Sequence, residues 1–403
     1  MLSTSTDLDQ PLAGVKVLEL SQIMAGPTCG LMLADLGADV IKVERYPQGD
    51  DARRYRREGD SGLPPSFMIL NRGKRSIALD VKHPDGRAAL LRLVADSDIL
   101  TENFRMGVME RLGLGYEALR EINPALVYCS ITGYGRTGPL ASRGGFDLIL
   151  QAFSGLISVT GEEGGEPVKP GVSIADVNAG ILAAFGSLAA YIRRLRTGRG
   201  QRVDTSLLQA SMQQMYWYAA AYFSRGIVPK PAGTAHPLIA PYQVYKCLDG
   251  GLALGGANET NWGRVAEVLG HPEWLEDPRF NTPDIRLANR RELETLINAE
   301  LGRDTRVAWT EPSAWIAPSI STNMPTANEA RSSIPCSTVP ESVLTLRFVA
   351  GSDINSGRCT SKLPEAALTA VISPSSDNTV LLGEPSVAWA ISKELRVKVG
   401  VIA

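Results

Sequence analysis

Asp176, in the stretch PGVSIADVNAG, follows a loop and stands just before an apolar helical run, where backbone N–H groups and the helix dipole steady a carboxylate. Composition alone favours an N-cap, because Asp is a preferred capping residue. A carboxylate so placed is also a competent nucleophile if water is excluded and an activated acyl group is delivered to it. The GGAN segment at 255–258 reads either as an ordinary turn or as a mobile lid, with Gly255 and Gly256 free to adopt positive φ. Cys29 stands near a helix start, where a thiol pKa can fall; with no histidine nearby in sequence, a small buried thiol is the better reading. Only His83, His236 and His271 exist, each of them directly before proline, so neither a Ser-His-Asp triad nor a multi-His metal site is expected. GLGYEAL at 113–119 has two glycines but no preceding strand, and reads as a turn between helices rather than a dinucleotide fingerprint.

The elements that must position these residues alternate. VKVLEL at 15–20 reads as a buried strand, Pro27 suits a first helical turn, Gly37 suits a helix C-terminus, and DVIKVE at 39–44 reads as the next strand. The same grammar predicts a helix over 84–96, a strand over 99–101, helices near 108–112 and 116–122, and a strand over 125–131. Such alternation implies an α/β fold with an open parallel sheet covered on both faces. A small-residue apolar helix is predicted over 178–195, its Arg193 and Arg194 favouring the negative end of the dipole. A Pro/Gly loop at 226–233 marks a boundary, giving a large domain over 1–225 and a smaller α/β domain over 226–304 with strands at 242–247 and 251–254. A C-terminal segment over 305–403 follows, rich in Ser, Thr and Pro up to about 378 and poor in helical periodicity.

The 403 residues carry 41 Lys+Arg against 43 Asp+Glu, a net charge of −2 with no polybasic run, which argues against a nucleic-acid partner. Five cysteines without a CxxC pair suggest a reducing compartment, and an N-terminus with two acids and no basic residue resembles neither a secretory nor a transit peptide. The longest apolar stretches, such as 181–192, fall short of the roughly 20 residues needed to span a bilayer. A cytoplasmic protein without membrane partners is the expectation.

The segments LAGVKVLELSQIMAGPTCGLMLADLGADVIKVERYPQGDDAR, LNRGKRSIALDVKHPDGR, TENFRMGVMERLGLGYE, YCSITGYGRTGP, GGFDLILQAFSGLISVTG, KPGVSIADVNAG and GTAHPLIAPYQVYKCLDG together resemble the class III coenzyme A transferases, the formyl-CoA and carnitine-CoA transferase family. The resemblance runs over about residues 11–303, in family order. It implies a Rossmann-like large domain, an interlocked homodimer and a reaction between an acyl-CoA donor and a free carboxylic acid acceptor, with CoA as substrate and no permanently bound cofactor. It gives Asp176 as the nucleophile that forms an acyl anhydride and then an aspartyl-CoA thioester, and Gly255 and Gly256 as the lid. CoA contacts carry over to Arg45 and Arg111 at the nucleotide phosphates, Leu79 and Lys82 beside the adenine and its phosphates, and Asn103 and Phe104 past a strand end. Ile23, Met24 and Ala25 fall along the pantetheine arm and Tyr134 near the thioester. The look is nearest to members that move CoA from succinyl-CoA onto dicarboxylates.

Two other readings stand beside this one. The fold also houses α-methylacyl-CoA racemases, which use a His before an Asp; here the matching stretch is Gly145-Phe146-Asp147, with no imidazole and hence no second base. A second alternative is an inactive CoA-binding member, because family features are missing over 306–378 yet return at LLGEPSVAWA, as a pair of compensating reading-frame shifts would produce.

Overall fold

The computed structural model describes residues 10–55 and 62–310. Expectations for the segment from 311 onward, including its interlocking role and the altered reading frame, lie outside the described residues. Among those described, the chain divides into two units, one running up to Gly161 and over Glu166–Pro231, the other formed by Glu162–Gly165 and the chain from Ala232.

The first unit is a βα succession. In chain order it comprises β1 (Lys16–Leu20), α1 (Ala25–Asp35), β2 (Asp39–Arg45), α2 (Pro65–Asn71), β3 (Lys74–Leu79), α3 (Pro84–Ala95), β4 (Ile99–Glu102), α4 (Val108–Arg111), α5 (Tyr116–Ile122), β5 (Val127–Thr132), α6 (Asp147–Phe153), α7 (Ile174–Thr197), β6 (Arg202–Ser206), α8 (Leu207–Gln213) and α9 (Tyr216–Arg225). Its six strands are all parallel, in the order β3-β2-β1-β4-β5-β6. That order reverses direction between β1 and β4, and in open α/β sheets a crevice opens beyond the carboxyl ends of the strands at such a point.

Alternation along the strands builds two cores. Val17, Val40, Ile99, Val127 and Cys129 face α1 and α7, whereas Leu18, Val43, Leu100 and Tyr128 pack with Leu90, Val94, Met109 and Leu119 from α3, α4 and α5. Helix α1 stops at Asp35 and the chain turns at Gly37, whose φ of +99° costs an ordinary residue a steric clash. Helix α7 is 24 residues long, and by length and composition it is long and apolar enough to cross a membrane, longer than the stretch read from the apolar run alone. Its Ala175, Ala179, Ala183 and Ala190 are buried in the first core.

In the second unit β7 (Tyr242–Cys247) and β8 (Gly250–Gly255) pair antiparallel and are followed by α10 (Glu259–Val268), α11 (Pro283–Ala288), α12 (Arg290–Leu301) and α13 (Arg306–Thr310). Its core gathers Tyr245, Leu252, Trp262, Trp274, Phe280 and Ile297. Helix α13 corrects the expectation that helical order ends at 305: the Trp309 indole N–H donates to the Leu301 carbonyl at 3.0 Å and ties the turn to α12.

Candidate active site

The residues expected to contact a CoA ester in the first unit gather at the carboxyl ends of its strands. Ile23, Met24 and Ala25 follow β1, Arg45 closes β2, and Leu79 closes β3 with Lys82 just beyond. Asn103 and Phe104 follow β4, Arg111 closes α4, and Tyr134 follows β5. Arg45, Lys82 and Arg111 are exposed. Leu79 and Phe104 pack against the second core, and Tyr134 meets Phe153 edge-on with ring centroids 5.5 Å apart.

Glu44 and Glu110 adjoin Arg45 and Arg111 in sequence, and neither pairs with its neighbour. Instead Glu44 turns inward to Arg53 and to the Ser76 hydroxyl, and Glu110 pairs with Arg136. Arg45 reaches Asp51 at 3.4 Å in an exposed pair worth about 0–1 kcal/mol, and Arg111 makes no ion pair with any described residue.

The turn after β1 is held with unusual force. Ile23 has φ +70°, the one non-glycine residue of positive φ among those described, and for a β-branched side chain that conformation costs on the order of 1–3 kcal/mol. Such strain persists only when its surroundings impose it. The Asp50 carboxylate accepts the Ile23 N–H at 3.1 and 3.3 Å, and the Asn103 side chain spans the crevice, accepting the Gln22 N–H at 3.0 Å and donating to the Gln22 carbonyl at 2.9 Å. Lys42 Nζ, only 1% exposed, donates to the Ser21 carbonyl at 2.8 Å and lies 2.9 Å from both Glu19 and Asp50. Lys74 Nζ lies 2.7 Å from the other Glu19 oxygen. Burial alone would raise the pKa of Glu19, but Lys74 and Lys42 outweigh it and hold the carboxyl below its ordinary value. Burial would likewise lower Lys42, yet Glu19 and Asp50 overcome it and raise it. Helix α1 lies flush on this cluster, since a Cβ on Gly30 would stand 1.8 Å from Glu19 Oε2.

Helix α7 begins at Ile174, four residues before the sequence predicted, so Asp176 is not its N-cap but its third residue. Ser173 occupies the cap without a side-chain hydrogen bond, and Asp147, at the start of α6, supplies one instead: its Oδ1 accepts the Ala175 N–H at 3.0 Å and the Asp176 N–H at 3.3 Å. Relieved of capping, the Asp176 carboxylate accepts no hydrogen bond from any described residue. Burial, and then the negative charge of Asp147, push its pKa up to about 6. One turn further along α7, a Cβ on Gly180 would stand 2.6 Å from the Ala25 carbonyl oxygen, so α7 and the start of α1 touch backbone to backbone beside the strained turn. Glu102 closes the crevice floor at the end of β4, its Oε2 accepting the Phe104 N–H at 2.8 Å, and burial raises its pKa to about 7.

Glycines 255 and 256 differ from their expectation. Neither has positive φ: Gly255 ends β8, and Gly256 donates its N–H to the Pro241 carbonyl at 2.7 Å. Close approach is what requires them, because a Cβ would stand 3.1 Å from the Tyr242 ring at Gly255 and 3.0 Å from Pro241 Cγ at Gly256. Cys29 is wholly buried and its thiol pKa well raised, chiefly by the Cys129 thiol beside it and by burial, as suits an inert core thiol. Phe146, at the racemase histidine's position, is 67% exposed. No cluster of His, Cys, Asp and Glu able to hold a metal occurs among the described residues.

Residues 12–314 match CoA-transferase family III. The chain belongs to that family. This CoA transferase is 39% identical over 303 residues to the succinyl-CoA:glutarate CoA-transferase of mouse, covering 75% of this chain and 70% of the relative. It is 41% identical over 296 residues to the succinate–glutarate CoA-transferase of Agrobacterium fabrum, covering 72% and 74%. A CAIB/BAIF family protein from Brucella suis shares its fold, with a TM-score of 0.65 and 42% identity over 74% of this chain and 80% of that one.

Proposed function

We propose that this CoA transferase moves CoA from succinyl-CoA to a small dicarboxylic acid through covalent work at Asp176. The observation that carries the reading is a carboxylate in the first turn of a core helix, capped by another residue, without a hydrogen-bond partner among the described residues and beside a strained turn. Such a group attacks the thioester carbonyl, the C–S bond breaks, and CoA thiolate leaves a mixed anhydride on Asp176. The thiolate then attacks the aspartyl carbonyl, succinate departs, and an aspartyl-CoA thioester remains. The acceptor carboxylate attacks that thioester, expelling the thiolate and re-forming an anhydride, whose acceptor acyl carbon the thiolate takes, freeing Asp176. Gly255 and Gly256 act as the lid that keeps water from the anhydride. The names of relatives at about 40% identity support succinyl-CoA as donor and a dicarboxylate as acceptor. A panel of carboxylic acids offered with succinyl-CoA tests this, and strict preference for formyl-CoA or a carnitine thioester overturns it.

In the same reading Arg45, Arg111 and Lys82 hold the nucleotide phosphates, for which guanidinium forks are suited. Leu79 borders the adenine, Ile23, Met24, Ala25 and Phe104 line the path of the pantetheine, Tyr134 stands by the thioester, and Asn103 acts through the Gln22 backbone it bridges. Arg111→Ala is expected to raise KM for every CoA ester by more than tenfold, about 1.5–3 kcal/mol of binding, and to leave the ranking of acceptors unchanged. A sharp fall in melting temperature at constant KM would make Arg111 structural.

Attack requires ionised Asp176, so kcat/KM for succinyl-CoA rises with pH through about 6. Asp147→Asn retains an acceptor for the two N–H groups but removes one cause of the raised pKa. The acid limb is expected to move to lower pH; a limb that stays in place assigns it to another group. Exposed apolar side chains at Val177, Ile181 and Phe185 on α7 and at Phe153 on α6 support a homodimer.

A further inference from the structure

We infer that Asp50 is a positioning residue for the reaction, the group that forces the Ile23–Ala25 turn into the conformation that presents a bound thioester to Asp176. The inference rests on the reading of Asp176 as the nucleophile. Asp50 itself is buried and cannot reach a substrate; every polar contact it makes runs into the protein. Its two carboxylate oxygens take the Ile23 N–H, one of them also takes the Ala52 N–H at 2.9 Å, and the other stands 2.9 Å from Lys42 Nζ. Its own N–H is fixed by Glu44 Oε2 at 2.8 Å, and Glu44 is locked in turn by a two-pronged Arg53 contact at 2.6 Å.

Asp50 is thus anchored on three sides and delivers that rigidity to a single backbone N–H. The residue carrying that N–H is the one β-branched side chain among those described that is held at positive φ. A structural role alone would be better served by glycine there, which adopts φ +70° without penalty. Isoleucine at this site means the conformation is imposed from outside, and the imposing groups are Asp50, aided by Lys42 on the Ser21 carbonyl, and Asn103 on Gln22. What the imposed turn fixes is the backbone at Ala25, whose carbonyl lies against Gly180, one helical turn from Asp176.

Asp50→Asn keeps the shape but presents an amide to Lys42 and weakens the grip on Ile23. The expected result with succinyl-CoA and glutarate is a fall of at least about tenfold in kcat with KM for succinyl-CoA changed by less than about threefold, because the phosphate contacts at Arg45, Lys82 and Arg111 are untouched. The decisive arm is rescue. In the Asp50→Asn background, Ile23→Gly removes the need for an external clamp and is expected to restore kcat by at least about threefold, which mere loss of global stability would not allow. Should Asp50→Asn fail to fold, Asp50→Glu, which keeps a charge for Lys42 while shifting the carboxylate, is measured in the same way with the same expectation. Unchanged kcat, or loss without rescue by Ile23→Gly, overturns the inference. Hydroxylamine trapping separates the two levels. Wild-type protein that forms the Asp176 hydroxamate while Asp50→Asn forms it equally fast refutes the role of Asp50 alone; wild-type protein that forms none refutes the nucleophile and the inference with it.

Discussion

Asp176→Asn is expected to lose at least about a thousandfold in kcat for CoA exchange, about 4 kcal/mol of barrier, and at the same time to make the protein more stable at neutral pH. The second effect follows from the sign of the pKa shift. Folding raises the carboxyl to about 6, so the protonated form is favoured by the fold and the ionised form is opposed by it. Stability from this group is full below the unfolded value near 4 and is lost as pH rises through about 6. Asparagine copies the neutral form at every pH. The variant should therefore match wild type near pH 3 and exceed it by about 2 kcal/mol at about pH 8, seen as a higher melting temperature. A residue that served only to start the helix would show the reverse, with lower stability and retained turnover.

Glu19→Gln is expected to be the most destabilising single change in the first unit. It leaves Lys74 buried without its carboxylate and deprives Lys42 of one of two, and breaking a buried ion network from one side typically costs about 3–5 kcal/mol. For a unit of this size that is a fall of about 10 °C or more in melting temperature. Burial already lowers the pKa of Lys74, and loss of Glu19 lowers it further. The unfolded chain then binds more protons than the folded one, so part of the loss should return as pH rises toward about 10. Thermal melts of the variant at about pH 7 and pH 9.5 check this; a change of less than about 1 kcal/mol would mean that water reaches the cluster.

The apolar strands and the helices between them were legible because their patterns are local. Strands β1, β2, β4 and β5 and helices α1, α3, α4 and α5 stand within two residues of their predicted ends. Strand β3, which sequence reading did not assign, is an edge strand in which four of six residues are exposed, so no apolar run marks it. The start of α7 was misplaced because its cap comes from Asp147, 29 residues before Asp176, and local sequence cannot show a cap delivered from another helix. The buried charges had a signal that went unused: Glu19 and Lys42 interrupt otherwise apolar strands. Only the sheet register, which sets them opposite each other, shows that they answer one another. Asp50 lay inside a quoted segment, but nothing in its neighbours discloses that it grips Ile23, 27 residues away.

The central claim is that Asp176 carries the acyl group. It is tested most directly by incubating the full chain with succinyl-CoA, quenching with hydroxylamine and mapping the modified peptide by mass spectrometry. The account predicts a hydroxamate on Asp176, absent without the CoA ester and absent in Asp176→Asn. Turnover of succinyl-CoA with Asp176 left unmodified, or a bound CoA ester with no adduct at all, would contradict it.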